Sequence, residues 1–221
     1  MKTVHPRLVP LACLLVLALT ACGPQKPSQQ TIDVRVPVDR YATADTPVIV
    51  ITSITDKRAF VAYDESPGVQ QMAAAAPTDT AASARMLGQF TTEEGNRLWD
   101  FVLPGDNTVA QLARDSVARG FELANIRVIR GSEDRSGAVP VTVEILELWS
   151  WNLVTWTNEF RFRSRIRIRG DIGPFRDGKI VQSNLTLRSI LGGHPNAYRN
   201  VVTQGMEQFV ENLADEARKA N

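Results

Sequence analysis

The chain has 221 residues, with 25 Lys and Arg against 24 Asp and Glu, two histidines and two cysteines. That length fits one domain rather than two. So few histidines and cysteines nearly exclude a zinc site, which wants about four such ligands, or three plus water.

The chain opens "MKTVHPRLVPLACLLVLALTACGPQKPSQQ". Lys2 and Arg7 form a basic start, and Leu8 to Leu19 is an apolar run broken only by Pro10. This is a secretory signal, shorter than the roughly 20 apolar residues a membrane-spanning helix needs. Leu19-Thr20-Ala21-Cys22 resembles the lipobox of bacterial lipoproteins, which implies removal of residues 1–21 and a lipid on Cys22. Cys13, with a poorer box, belongs to the signal. Losing Lys2 and Arg7 leaves 23 basic against 24 acidic side chains, a mature net charge of −1. Cys22 and His194 are then the last Cys and His, so no disulfide, metal or cofactor is expected. An envelope location argues against nucleic acid as a partner. Gly23, where Asp would signal inner-membrane retention, places the anchor in the inner leaflet of the outer membrane, facing the periplasm.

Residues 22–31 read as the lipidated cysteine and a Pro/Gln/Ser tether that cannot bury a core, ahead of a single domain over 32–221. Ile32 to Val38 is a short extended piece, and Pro47 to Ile54 a buried strand closed by Asp56-Lys57-Arg58. The alanine-rich Gly68 to Arg85 lacks periodicity, and with its flanks it reads as a long mobile loop near 61–106. A helix is expected over Gly105 to Gly120, with a Thr108/Gln111 capping box and Gly120 as its stop. A strand follows at once over Phe121 to Ile129.

Val139 to Trp151 is a long strand whose apolar alternation shifts phase near Ile145. A bulge there explains the shift, and so does burial on both faces. Asn158 to Gly170 and Lys179 to Ile190 complete a meander, with Arg176 to Gly178 as the hairpin turn. The last helix starts at Pro195 and sets Tyr198, Val202, Met206, Phe209, Leu213 and Ala217 on one face. The expected fold is α+β: a two-layer sandwich of a mainly antiparallel sheet, four to five strands, with two amphipathic helices on one face.

Within "NEFRFRSRIRIRGD", period-two alternation puts Arg161, Arg163, Arg165, Arg167 and Arg169 on one strand face, the one away from the helices. Same-face neighbours lie about 6.6 Å apart, so each adjacent pair repels by about 0.6 kcal/mol in water before screening. Two readings offset this. Glu144, Glu147, Gln182, Asn184 and Thr186 can satisfy the guanidiniums across the strands. Alternatively the face meets an anionic envelope partner, whether lipopolysaccharide, phospholipid head groups or an acidic protein.

Trp149, Trp151 and Trp156 flank a turn and read as packed side chains, stacking against a helix. His194 reads as a helix-entry residue with no nucleophile to serve, and Asp56 with Arg58 as a local salt bridge.

The lipobox, "VIVITSITDKR", "ARGFEL", the meander and "AYRNVVTQGMEQFVENLADEA" together resemble the YajG-type envelope lipoproteins over roughly Val48 to Ala217. The resemblance implies a lipid-anchored periplasmic domain with no established catalytic role, and it carries over no site residues. The five-arginine strand and the alanine-rich stretch depart from it. The expected function is a non-enzymatic accessory or binding module held to the membrane through Cys22. The alternative is an envelope hydrolase or transferase using carboxylates such as Glu93 and Glu94. The sequence leaves the oligomeric state open.

Overall fold

The computed structural model describes residues 28–34, 36, 46–62, 71–72, 80–93, 96–131, 133–154, 157–189 and 195–219. The signal, Cys22, the tether up to Pro27, Trp156, His194 and Glu94 lie outside the described residues. The elements in order are β1 (Ser28–Thr31), β2 (Val48–Asp56), β3 (Val61–Ala62), β4 (Gln71–Met72), α1 (Thr80–Arg85), β5 (Met86–Thr91) and β6 (Arg97–Val102). They continue with α2 (Val109–Leu123), β7 (Arg127–Ile129), β8 (Val139–Val154), β9 (Asn158–Gly170), a 3-10 turn (Gly173–Phe175), β10 (Lys179–Ser189) and α3 (Pro195–Arg218).

β8 is the spine of an open, mixed sheet. Along one edge it pairs antiparallel with β9, which pairs antiparallel with β10. The other edge is shared end to end. β2 runs parallel to Val139–Ile145 and carries β7 outside it, while β5 runs parallel to Ser150–Trp151 and carries β6 and then β1.

The sheet therefore has eight strands, not four to five, and four of its strand pairings are parallel. The extra strands come from stretches that read as unstructured. β5 and β6 lie within the supposed 61–106 loop, and β1 takes the end of the supposed tether. β5 hid because Met86 to Phe90 is buried on both faces, which erases the period-two signal. β1 is polar because it is a sheet edge, with Ile32 and Val34 next to it carrying the burial.

α2 and α3 pack on each other and on one sheet face, α2 over β2 and β7, α3 over β9 and β10. One continuous core joins Ile49, Ile145, Phe162 and Ile168 of the sheet to Val117, Phe121, Met206 and Phe209 of the helices. The capping box at Thr108 and Gln111 forms as the spacing requires. Gly120, however, does not stop α2. The helix runs on to Leu123, and the left-handed residue beyond it is Asn125 (φ 61°). Gly120 is instead where α3 comes closest: a Cβ there would sit 2.6 Å from Leu213 Cδ2. The strand that follows is accordingly shorter than expected, β7 alone.

The phase shift in β8 is a bulge, with the β9 register slipping between Ile145 and Glu147. It keeps Leu148 in the core while turning Glu147 to the open face. The β9–β10 connection is no tight turn at Arg176–Gly178 but residues 171–178, holding the 3-10 turn and an Asp171–Arg176 pair. All six apolar positions assigned to the last helix are buried. Tyr198 pins that helix to the sheet: its hydroxyl lies 2.6 Å from Gln89 O and 2.9 Å from Asn152 Oδ1, and its ring stacks on Phe101.

Candidate functional site: the arginine ladder on the open sheet face

β9 alternates without a break. Phe160, Phe162, Ser164, Ile166 and Ile168 are buried under the helices, and Arg161, Arg163, Arg165 and Arg167 are half-buried on the opposite face, with Arg169 exposed. The strand register sets Arg167 against Glu144, Arg165 against Glu147 and Gln182, and Arg163 against Trp149 and Asn184.

The carboxylates follow one rule: each is bridged by two cations. Glu144 binds Lys57 and Arg167, the latter at 2.8 Å. Glu147 lies 2.7 Å from Arg165 and 3.7 Å from Arg163. Glu159 lies 2.8 Å from Arg161 and 3.0 Å from Arg188. Hydrogen bonds from Lys57 and Arg167 hold the Glu144 carboxyl below its usual range, and those from Arg161 and Arg188 do the same for Glu159.

Arg169 has no ion pair among the described residues. Along the ladder, among the described residues, Lys57, Arg188 and the five strand arginines, seven cations, meet Glu144, Glu147 and Glu159, a surplus of four positive charges. Internal partners orient the ladder without neutralising it. The paired arginine side chains remain 37–39% exposed, so their outer donors reach water.

Between Arg163, Arg165, Gln182 and Asn184 the face dips into an open depression of about 270 Å³. Arg163 Nε donates to Asn184 Oδ1 at 3.1 Å, which fixes that guanidinium from the β10 side. Trp151 flanks it, with the Arg163 guanidinium 5.8 Å from the indole ring.

Of the ladder's partners, Glu144, Glu147 and Asn184 were foreseen, and Gln182 lines the depression. Thr186 faces Arg161 across the strands. Lys57, Glu159 and Arg188 were missed. Glu159 was legible, since it lies two residues before Arg161 and must share its face. Arg188 was not, because its register depends on the eight-residue β9–β10 connection.

The remaining sites take structural roles. Trp149 is buried and Trp151 half-buried, but they pack with Phe60 and Met86 on the ladder side of the sheet, not against a helix. Arg58 forms the expected pair with Asp56 and does much more. Its Nε and Nη2 grip Asp56, Nη2 also donates to Ser83 O, and Nη1 donates to Met86 O and Leu148 O. Glu93 is exposed in the turn between β5 and β6.

A separate depression of about 520 Å³ at the start of α2 is lined by Asp33, Thr108, Gln111 and Asp115 among others. Burial raises the Asp115 carboxyl against the pull of Arg130 and Arg114. Among the described residues no group of three His, Cys, Asp or Glu could hold a metal ion, and no helix is long and apolar enough to cross a membrane.

No protein-family model and no curated protein matches the chain. Among solved structures it is similar to a Xanthomonas campestris protein of family DUF330, at 13% identity and TM-score 0.39, over 85% of this chain and 92% of that one. It is also similar to a structure described as an uncharacterized protein, at 10% identity and TM-score 0.42, over 87% of this chain and 99% of that one. Neither is described as YajG-type.

Proposed function

We propose that this chain is a non-enzymatic lipoprotein, anchored through Cys22 in the outer membrane and facing the periplasm, whose open sheet face docks an anionic component of the envelope. The anchor rests on the lipobox and on the YajG-type pattern of the sequence. The docking face rests on one observation, the bridging of every ladder carboxylate by two cations. A face evolved only to be solvated has no use for seven cations when their three carboxylates orient them but leave the charge standing. Arginine donors held in fixed orientation and half exposed bind carboxylate or phosphate in two-point fashion at small entropic cost.

Fractionation of cells tests the anchor. The wild-type chain is expected with the outer membrane and Cys22→Ala in the soluble periplasm; membrane fractionation unchanged by the substitution contradicts the anchor. In-cell photo-crosslinking from Gln182 tests the face. Crosslinks are expected to disappear in Arg165→Ser/Arg167→Ser while the thermal midpoint holds within a few degrees. Crosslinks that persist in that variant contradict docking through the ladder.

A further inference from the structure

We infer that the depression between Arg163, Arg165, Gln182 and Asn184 is a seat for a singly charged phosphodiester, specifically the head group of an anionic phospholipid. The inference rests on the docking role given above to this face and names its ligand.

The charge of the seat matches a monoanion. The seat holds two guanidiniums and one carboxylate, Glu147, which lies 2.7 Å from Arg165 and 3.7 Å from Arg163. Its local charge is therefore +1, the complement of a phosphodiester monoanion. Glu147 is nearly buried and does not line the opening, so it lies behind the two arginines rather than over them. A dianion would feel the Glu147 repulsion without a matching cation.

The donors of the seat are oriented. Arg163 spends Nε on Asn184 and directs Nη1 toward Glu147, while Arg165 spends Nη1 on Glu147. Both guanidiniums are thus held by these partners, and both arginines line one opening with Gln182 and Asn184. Two oriented forks converging on one opening match tetrahedral oxyanion geometry better than a flat carboxylate pair.

A membrane surface fits the seat better than a small solute does. The depression is shallow and open, which suits a group presented at the end of a larger surface. Its neighbours repeat the same arithmetic. Lys57 and Arg167 with Glu144 make one further +1 unit, and Arg161 and Arg188 with Glu159 another. Along β9 these units recur about every 10 Å, a row suited to a plane of separate head groups. Half-buried Trp151 flanks the seat beside Arg163, and indole rings favour the level of lipid head groups. Only Gly23 to Pro27, five residues, separate the lipidation position from β1. Fully extended, the chain from Cys22 to β1 spans about 20 Å, so an anchored domain works within reach of the bilayer surface.

The test uses the full mature chain carrying Cys22→Ala, so that the acyl anchor cannot mask the site. Co-sedimentation is measured with phosphatidylglycerol/phosphatidylcholine vesicles and with pure phosphatidylcholine vesicles. Binding to the anionic vesicles alone is expected, weakening as salt is raised. Arg163→Gln/Arg165→Gln is expected to weaken it roughly 30-fold, and the equal-charge control Arg218→Gln/Lys219→Gln, at the end of α3 on the helix side of the sheet, less than about fivefold. Should the seat double variant fail to fold, Glu147→Gln decides: it raises the seat to +2 and is expected to tighten vesicle binding.

Equal losses in the two double variants would show diffuse charge and overturn the seat, as would weaker binding by Glu147→Gln. Inorganic phosphate binding with no vesicle binding overturns the lipid source. Absence of vesicle binding while the in-cell crosslinks from Gln182 persist overturns the lipid seat and leaves the docking reading standing. Loss of those crosslinks' dependence on Arg165 and Arg167 is a failure of the docking reading itself.

Discussion

Arg58 and the β9 arginines use the same side chain to opposite ends. Arg58 is 7% exposed, and its guanidinium donors are spent on the Asp56 carboxylate and on the carbonyls of Ser83, Met86 and Leu148. It rivets β2, α1, β5 and β8 at one point, with Phe60 against its face. Arg161, Arg163, Arg165 and Arg167 each lie on one carboxylate shared with a second cation, and their side chains stay 37–39% exposed. What distinguishes a structural guanidinium from an available one is therefore the count of donors already spent, not the presence of a salt bridge.

The comparison can be broken most sharply at the rivet. Arg58→Ala removes the donors of three backbone carbonyls and unpairs Asp56, and is expected to cost about 3–5 kcal/mol in urea unfolding. Tyr198→Phe extends the same logic to a neutral group. It strips the hydroxyl shared between Gln89 O and Asn152 and should cost about 1–2 kcal/mol, again read by urea unfolding.

On the ladder the costs shrink. Glu147→Gln should lower stability by about 1 kcal/mol or less, because both guanidiniums it leaves can turn to water.

Acid titration separates the ladder glutamates from two carboxyls on α2 by sign. Glu144 and Glu159 have folded pKa values below the ordinary glutamate value, so the stability they give is complete above that value. It is lost as pH falls through the lowered folded values. Asp115 and Glu122, both on α2, are raised by partial burial against nearby arginines. Their protonated forms are favoured by folding, a contribution present below the ordinary pKa and lost as pH rises through the raised folded values. Thermal melts from pH 7 to pH 3 should show acidification first relieving the helix side and then costing the ladder. Glu144→Gln/Glu159→Gln should shrink the second, low-pH loss to the share of lowered carboxyls off the ladder, such as Glu216, and leave the first effect in place. The smallest effect belongs to Arg169→Gln, within about 0.5 kcal/mol of wild type.

Much of this was legible because it depends on short-range periodicity. The β9 alternation, the β8 bulge, the Thr108 cap and the buried face of α3 each follow from spacing within one element. What escaped depends on partners remote in sequence. β5 is flanked by neighbours on both edges and covered on both faces, so Met86-Leu87-Gly88-Gln89-Phe90 alternates nothing. A hairpin signal was nonetheless present there, since the Glu-Glu-Gly-Asn stretch at 93–96 separates two apolar runs of strand length. Gly120 misled because a glycine that ends a helix and one that admits a neighbouring helix look alike in sequence. Only the position of Leu213 on α3 tells them apart. Lys57 and Arg188 joined the ladder through strand registers that no local pattern encodes.

Urea unfolding of Arg163→Gln/Arg165→Gln beside Arg58→Ala tests the central distinction most directly. The account predicts that the ladder double variant loses no more than about 1–2 kcal/mol, well short of the single rivet variant. A loss as large as that of Arg58→Ala would show the ladder arginines to be structural and would contradict their availability to a partner.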